Sequence, residues 1–304
     1  MHIVTGAGPV GWTIAEQLAN AGNKVRVLTR SGSGPDHPNV EKLGVDVSDP
    51  TLLADAFDGA EAVYHCVHGS KYTVSAWRAE LPRMEQAVLA AAGRTVVVFP
   101  ESLYAYGPVD GPITEDLPRT ATQGKLGVRT DLLRARAAAD TPTVSVAAAD
   151  FFGPRVRTAH AGERMVPTIL AGKKMQVIGS LDQPHSFTYV PDLAAAMITA
   201  AAKPDLWNTF LHAPTAAAVT QRELITAFAT AAGVPTPKMS AVPGWLLRIL
   251  GVGMGELREL TETSYQLSKP FVLDSARSEA QLGLAPTPLA AAVAETVRWW
   301  RAQG

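Results

Sequence analysis

Three glycines at the start of the chain constrain its fold more than any other feature. Gly6-Ala7-Gly8-Pro9-Val10-Gly11 follows the apolar run His2–Thr5 and opens a helical pattern over residues 10–21. In such a G-x-G-x-x-G turn the first glycine permits a tight bend. The second lets another molecule approach the backbone, and the third lets the helix pack against the strand. Free N–H groups at the positive end of that helix suit a phosphate. A glycine turn used only for packing is the plainer alternative. A second strand pattern at residues 24–29 completes the unit expected of a dinucleotide cradle. Gly6, Gly8, Pro9, Val10 and Gly11 are therefore the expected cofactor contacts.

The first half of the chain keeps alternating. Strand patterns at residues 62–67, 95–100 and Thr143–Ala148 lie between helical patterns at 51–57, 76–92 and 124–139. Apolar strands alternating with helices imply a parallel sheet covered on both faces. Right-handed crossovers make that an α/β, Rossmann-type doubly wound sheet. After about residue 150 the pattern loosens. Helical stretches are expected at 162–171, 192–202, 221–232, 244–267 and 289–302, with short strands at Met175–Ile178, Thr209–His212 and 238–242. The expected organisation is a dinucleotide-binding domain over 1–150 and a smaller substrate-capping region over 151–304. Some elements of that region return to the main sheet.

Composition narrows the function classes. The 304 residues are 47% hydrophobic and 18% charged, enough to bury a core. With 27 basic and 28 acidic residues the net charge is -1, so no field draws nucleic acid or an anionic membrane. The expected partner is a small-molecule substrate, with the chain as monomer or homodimer. Cys66 stands alone, which excludes an internal disulfide and a cysteine-built zinc site and fits a reducing cytoplasm. His65 and His68 flank it without nearby carboxylates, so no metal is expected. His160 and His212 read as structural. The N-terminus lacks the basic and long apolar regions of a signal peptide. No apolar run reaches the roughly 18 residues of a spanning helix, and a cytoplasmic location is expected. A serine-hydrolase G-x-S-x-G elbow is also missing.

The second strand ends in Leu28-Thr29-Arg30-Ser31, where an acidic residue would take the ribose 2′-OH of NAD. A guanidinium at Arg30 instead matches a 2′-phosphate. NADP(H) is the preferred cofactor on this reading, with NAD(H) possible. A solvated loop arginine is the alternative.

Several further segments, taken in order, resemble the extended short-chain dehydrogenase/reductase family, also called NAD-dependent epimerases/dehydratases. Asp46-Val47 is similar to its adenine-contacting pair. Val63-Tyr64-His65-Cys66-Val67-His68 resembles its fourth strand, whose end lines the cofactor at Cys66 and Val67. Ser102-Leu103-Tyr104-Ala105-Tyr106-Gly107-Pro108 resembles the S-x-x-x-Y-G stretch with its catalytic serine. Ile113-Thr114-Glu115-Asp116-Leu117-Pro118 is similar to the T-E-D-x-P loop. Phe151-Phe152-Gly153-Pro154 resembles the turn beside the nicotinamide, and His185 to Asp192 the R-D-F-V-Y-V-D-D segment.

The resemblance implies a catalytic tyrosine and, four residues later, a lysine that binds the nicotinamide ribose. The chain departs from this. Alignment on Glu115 puts Lys125 at the tyrosine and Arg129 at the lysine, and no tyrosine lies between Tyr106 and Tyr189. Lys125 and Arg129 share a helix face, either toward a cofactor or as solvated cations. Arg129 would then bind the ribose, and Lys125 or Tyr104 would supply the proton while Ser102 holds the substrate oxygen. Tyr106, Phe152, His185 and Trp245 are the expected substrate contacts, and Phe151 a cofactor contact. His185 in place of arginine, with the apolar run 245–250, points to a small, fairly apolar carbonyl or alcohol. The leading expectation is an NAD(P)-dependent reductase or dehydrogenase. An epimerase or dehydratase using transient hydride transfer is the first alternative, and a catalytically silent NADP(H) sensor the second. If Arg30 selects the cofactor, Arg30→Asp should cost NADPH binding on the order of 2–3 kcal/mol and leave NADH binding unchanged. Titration of both cofactors checks this, and equal affinities in the unmodified protein contradict it.

Overall fold

The computed structural model describes residues 1–242 and 262–303. Six strands, β1 (His2–Thr5), β2 (Val25–Thr29), β3 (Val40–Gly44), β4 (Ala62–His65), β5 (Val96–Ser102) and β6 (Thr143–Ala148), join the late strand Thr209–His212 in one sheet. Its order is Thr209–His212, β6, β5, β4, β1, β2, β3, and every pairing is parallel. Strands leave β1 in both directions, so a crevice opens above the carboxyl ends of β1 and β4 where the order reverses.

The inner strands form because their sequences are continuous apolar runs that can be buried on both faces. One face is covered by α1 (Pro9–Asn20) and α6 (Val190–Ala201). There Ile14, Ala15, Leu18, Leu193, Ala194 and Met197 share one buried cluster with the strands. The other face carries α2 (Pro50–Ala56), α3 (Val74–Ala92) and α4 (Gly124–Ala137), clustered around Leu53, Trp77, Leu81, Val88, Val128 and Leu132. A separate core joins α5 (Val166–Leu170), α7 (Gln221–Ala231) and the helix Leu289–Arg301.

Some elements differ from expectation for local reasons. β3 was unforeseen, since an edge strand with exposed Glu41 and Lys42 shows no apolar alternation. The helix expected over 162–171 shrinks to Val166–Leu170, with Pro167 in its first turn. Two-stranded pairings of Asp150–Phe152 with Phe187–Tyr189, and of Pro184–His185 with Val219–Thr220, are too short to leave a pattern. Most of the helical pattern over 244–267 falls outside the described residues. No helix among the described residues is long and apolar enough to cross a membrane.

A chain of buried charges ties the sheet to α3 and α4. Arg136 on α4 grips Glu85 of α3 with two hydrogen bonds, at 2.6 and 2.8 Å. It also donates to Glu101 of β5 at 2.8 Å and to the Ser145 hydroxyl at 3.0 Å. Burial alone would raise the Glu85 carboxyl, but Arg136 holds it below the ordinary carboxylate value. Removing one partner of such a cluster leaves uncompensated buried charge. Arg136→Met should therefore cost about 3–5 kcal/mol in urea unfolding. A loss under about 1 kcal/mol, the range of exposed pairs, would contradict the chain's structural role.

Candidate cofactor and substrate site

The glycine turn divides its work. Gly6 adopts φ +88°, and a Cβ there would lie 2.9 Å from the Cys66 carbonyl oxygen. A Cβ on Gly11 would fall 2.0 Å from the Gly6 carbonyl oxygen. Both are required by the fold itself. Gly8 differs: nothing lies within 4 Å of its Cβ position, and as the residue capping α1 it leaves the helix's first amides without a side-chain acceptor. Pro9 follows at the position where a missing N–H costs nothing. Open space, free amides and a helix dipole at one point fit a pyrophosphate.

Other expected cofactor contacts surround this cradle. The Cys66 amide donates to the Thr5 carbonyl at 2.8 Å, and burial pushes the thiol's pKa up, keeping it unreactive. Val10 and Val47 are buried and Val67 partly so. Arg30 lies exposed just past β2. Asp46 accepts the Ser48 amide at 2.9 Å, which together with the Ser48 side chain and the fields of Arg30 and Arg83 holds its carboxyl below the usual value. An open groove of about 710 Å³ runs past Asp46 between Pro50 and Arg83. None of the expected catalytic side chains lines it.

Beyond the ends of β5 and β6 the chemistry-bearing side chains gather. Ser102 ends β5, and its amide and hydroxyl donate to Glu101 Oε1 at 2.8 and 3.3 Å. Tyr104 stacks on Trp77 with centroids 6.2 Å apart, and its hydroxyl meets that of Tyr72 at 2.6 Å. Burial, then Tyr72 and Asp150, raise the Tyr104 pKa well above the ordinary phenol value, so its hydroxyl stays protonated at neutral pH. Lys125 and Arg129 both lie buried on the inner face of α4. The Lys125 ammonium pairs with Glu262 at 2.9 Å and sits 4.6 Å above the Tyr72 ring. Arg129 lies 3.5 Å from Glu101 and 4.9 Å over Trp77, and its buried Nε has no hydrogen-bond partner among the described residues. Arg129 thus sets a buried positive charge beside Glu101 at the end of β5.

The expected substrate contacts separate. His185 is buried between Asp150 Oδ2 and the Gln266 carbonyl, both at 3.0 Å. Tyr106 instead meets His212 at 2.9 Å and Arg119 at 3.3 Å in a buried cluster, where burial pushes its pKa up to about 12. Phe152 packs on Tyr189 and Phe228 in the C-terminal core, so its ring is structural. Phe151 is half-buried against the core beneath the sheet. Trp245 lies outside the described residues. His65 holds Thr5 Oγ1 at 2.7 Å, with its pKa lowered by burial to about 4. Among the described residues no three side chains gather as metal ligands.

Four members of this site escaped the sequence reading: Glu101, Tyr72, Asp150 and Glu262. Glu101 carried a signal, an acid directly after the apolar run Val96 to Pro100. The others reach the site from separate segments with no local pattern. Because only Gly8 opens onto empty space, Gly8→Ala should fold with a loss of at most about 1 kcal/mol yet weaken NADH binding by about tenfold or more. Fluorescence titration beside a melting curve checks this. Unchanged NADH affinity in Gly8→Ala would show that no ligand approaches the turn.

Comparison with known proteins now adds to this geometry. No curated protein matches the chain. Among solved structures, the Bordetella bronchiseptica enzyme WbmH in complex with NAD⁺ is 21% identical, with 99% of this chain and 97% of that one covered at a TM-score of 0.75. UDP-glucuronic acid 4-epimerase from Bacillus cereus, with UDP-glucuronic acid and NAD, is 16% identical, with 100% of both chains covered at 0.79. A dTDP-glucose 4,6-dehydratase from Streptomyces venezuelae with NAD bound is 21% identical, with 99% and 97% covered at 0.75. These likenesses show the same fold, built on a Rossmann-type sheet. The model of the NAD dependent epimerase/dehydratase family matches residues 2–209, more than half of the sequence, and the chain belongs to that family.

Proposed function

We propose that the protein holds NAD(P) across the crevice above β1 and β4 and carries out epimerase- or dehydratase-type chemistry on an alcohol carbon. On this reading hydride leaves the substrate and returns within one turnover. The observation that carries it is the placement of Lys125 and Arg129. Both cations are buried on the inner face of α4, beside the Ser102–Tyr104 loop rather than in solvent. The family and the names of its solved members support redox-neutral turnover over net reduction of an apolar carbonyl. The described side chains nearby, Tyr72, Tyr104, Asp150 and Glu262, are polar or aromatic rather than aliphatic.

The bound dinucleotide would supply the hydride acceptor and donor. The chain's own residues do the rest. Gly8 and the first amides of α1 receive the pyrophosphate, and Arg129 sets a permanent positive charge at the opposite end. Ser102 Oγ orients the substrate oxygen. Tyr104, by relaying its proton through the Tyr72 hydroxyl, or Lys125, by passing its proton to Glu262, opens a site for the hydroxyl proton as the carbon is oxidised, and gives that proton back on reduction. The solved relatives carry NAD, and Arg30 supports NADP as an additional or preferred cofactor.

Two substitutions separate the proton carriers. With a confirmed substrate, the change at the true carrier, Tyr104→Phe or Lys125→Met, should lower turnover about 10²–10⁴-fold with NADH affinity kept. Unaltered turnover in both would remove these residues from the chemistry. Absorbance at 340 nm during turnover tests the reaction class. A steady signal is expected, and net oxidation or reduction of free cofactor would instead establish a dehydrogenase.

A further inference from the structure

Two ion pairs on the substrate side of the site are turned the same way. The Lys125 side chain is 0% exposed and its partner Glu262 23%, while His185 is 2% exposed and its partner Asp150 29%. In each pair the nitrogen partner lies behind and the carboxylate reaches the open surface. Asp150 is open to solvent, yet burial is the largest influence on its carboxyl. The Asp150 side chain is 29% exposed, so its carboxylate can be reached from the surface.

Contacts join the two pairs into a ring. From Lys125 they run through the Tyr72 ring, 4.6 Å away, to the Tyr72–Tyr104 hydroxyl contact at 2.6 Å, and Asp150 lies near enough to act on Tyr104. From His185 they run to Phe271 at 5.2 Å and on to Tyr265 at 6.5 Å, which feels Glu262.

The protons can be counted. A carbonyl oxygen only accepts, so His185 Nδ1–H donates to Gln266. The other ring nitrogen faces Asp150, whose carboxyl is held below the ordinary value because the His185 hydrogen bond overrides the effect of burial. Both ring nitrogens of His185 thus face oxygen acceptors, and the imidazole is turned onto Asp150 from behind. The exposed groups of the two pairs are carboxylate oxygens, which receive hydrogen-bond donors and cations and repel anions.

We propose that this face selects a hydroxyl-bearing substrate that is neutral or cationic where it meets Asp150 and Glu262, and that it rejects phosphate esters and nucleoside diphosphate conjugates. The proposal rests on the function above for the reacting carbon. It differs from an extrapolation of the solved relatives, whose bound UDP-sugars carry two phosphates.

The test is calorimetry on the NAD-loaded protein with matched compounds: polyols and hexoses, amino sugars, their phosphate esters, and UDP-glucose. The unphosphorylated member of each pair that binds should be preferred by about tenfold or more. Asp150→Asn should narrow that preference by about fivefold with NADH affinity unchanged. Glu262→Gln, from the other pair, provides the same reading if Asp150→Asn does not fold. Binding of any phosphate ester or UDP-glucose as tightly as its unphosphorylated partner overturns the proposal. So does failure of every unphosphorylated compound to bind at about 10 mM. A separate NADH titration keeps the two readings apart. Loss of NADH binding defeats the proposed function, whereas the charge preference is read from the matched pairs alone.

Discussion

The buried chain of charges from Glu85 through Arg136 and Glu101 to Arg129 is the constraint on which the rest of the site depends. It links α3, the end of β5 and α4 at the edge of the sheet where the crevice opens. Glu101 accepts the Ser102 amide and lies beside Arg129, so one carboxylate ties the end of β5 to a cation of α4. Burying four charges is unfavourable unless each is answered. Here Arg136 faces two carboxylates and Glu101 two guanidiniums, and the sum over the four groups is neutral. Arg129 keeps an unfilled donor at the end of the chain nearest the Trp77 face.

Helix α4 shows why its cations belong inside. Lys125, Arg129, Leu132 and Arg136 recur at the three- and four-residue spacing of a buried stripe. Residue type suggests solvated cations, while spacing places them on the packed face. Their answering carboxylates, Glu262, Glu101 and Glu85, come from three distant segments, so no local pattern announces them. The helix is thus held by ionic contacts as well as by Leu126, Val128 and Leu132.

The Rossmann half was legible because its signals are local. The glycine turn, the apolar strands and the helical periods all act within about a dozen residues, and chirality sets the hand of the crossovers. β3 was not legible, because an edge strand needs no apolar alternation. Among the site residues, the cofactor glycines could be read from spacing alone, and the backbone geometry shows which of them face space and which face protein. The substrate side could not be read in this way. Asp150 meets His185, and Lys125 meets Glu262, only through tertiary folding. The expectation of an apolar substrate rested on His185 and on residues 245–250; the latter lie outside the described structure, and His185 is paired with the carboxylate of Asp150.

The central claim is that Glu101 positions Arg129 as the cation that holds the cofactor. A double-mutant cycle on NADH affinity tests it most directly. Glu101→Gln and Arg129→Ala should each weaken binding by about tenfold, the loss of one charge-assisted contact of about 1.5 kcal/mol. Because Glu101 acts through Arg129, the double variant should be no weaker than the poorer single one. Losses that multiply to about a hundredfold, or singles that bind as the unmodified protein does, would contradict the account.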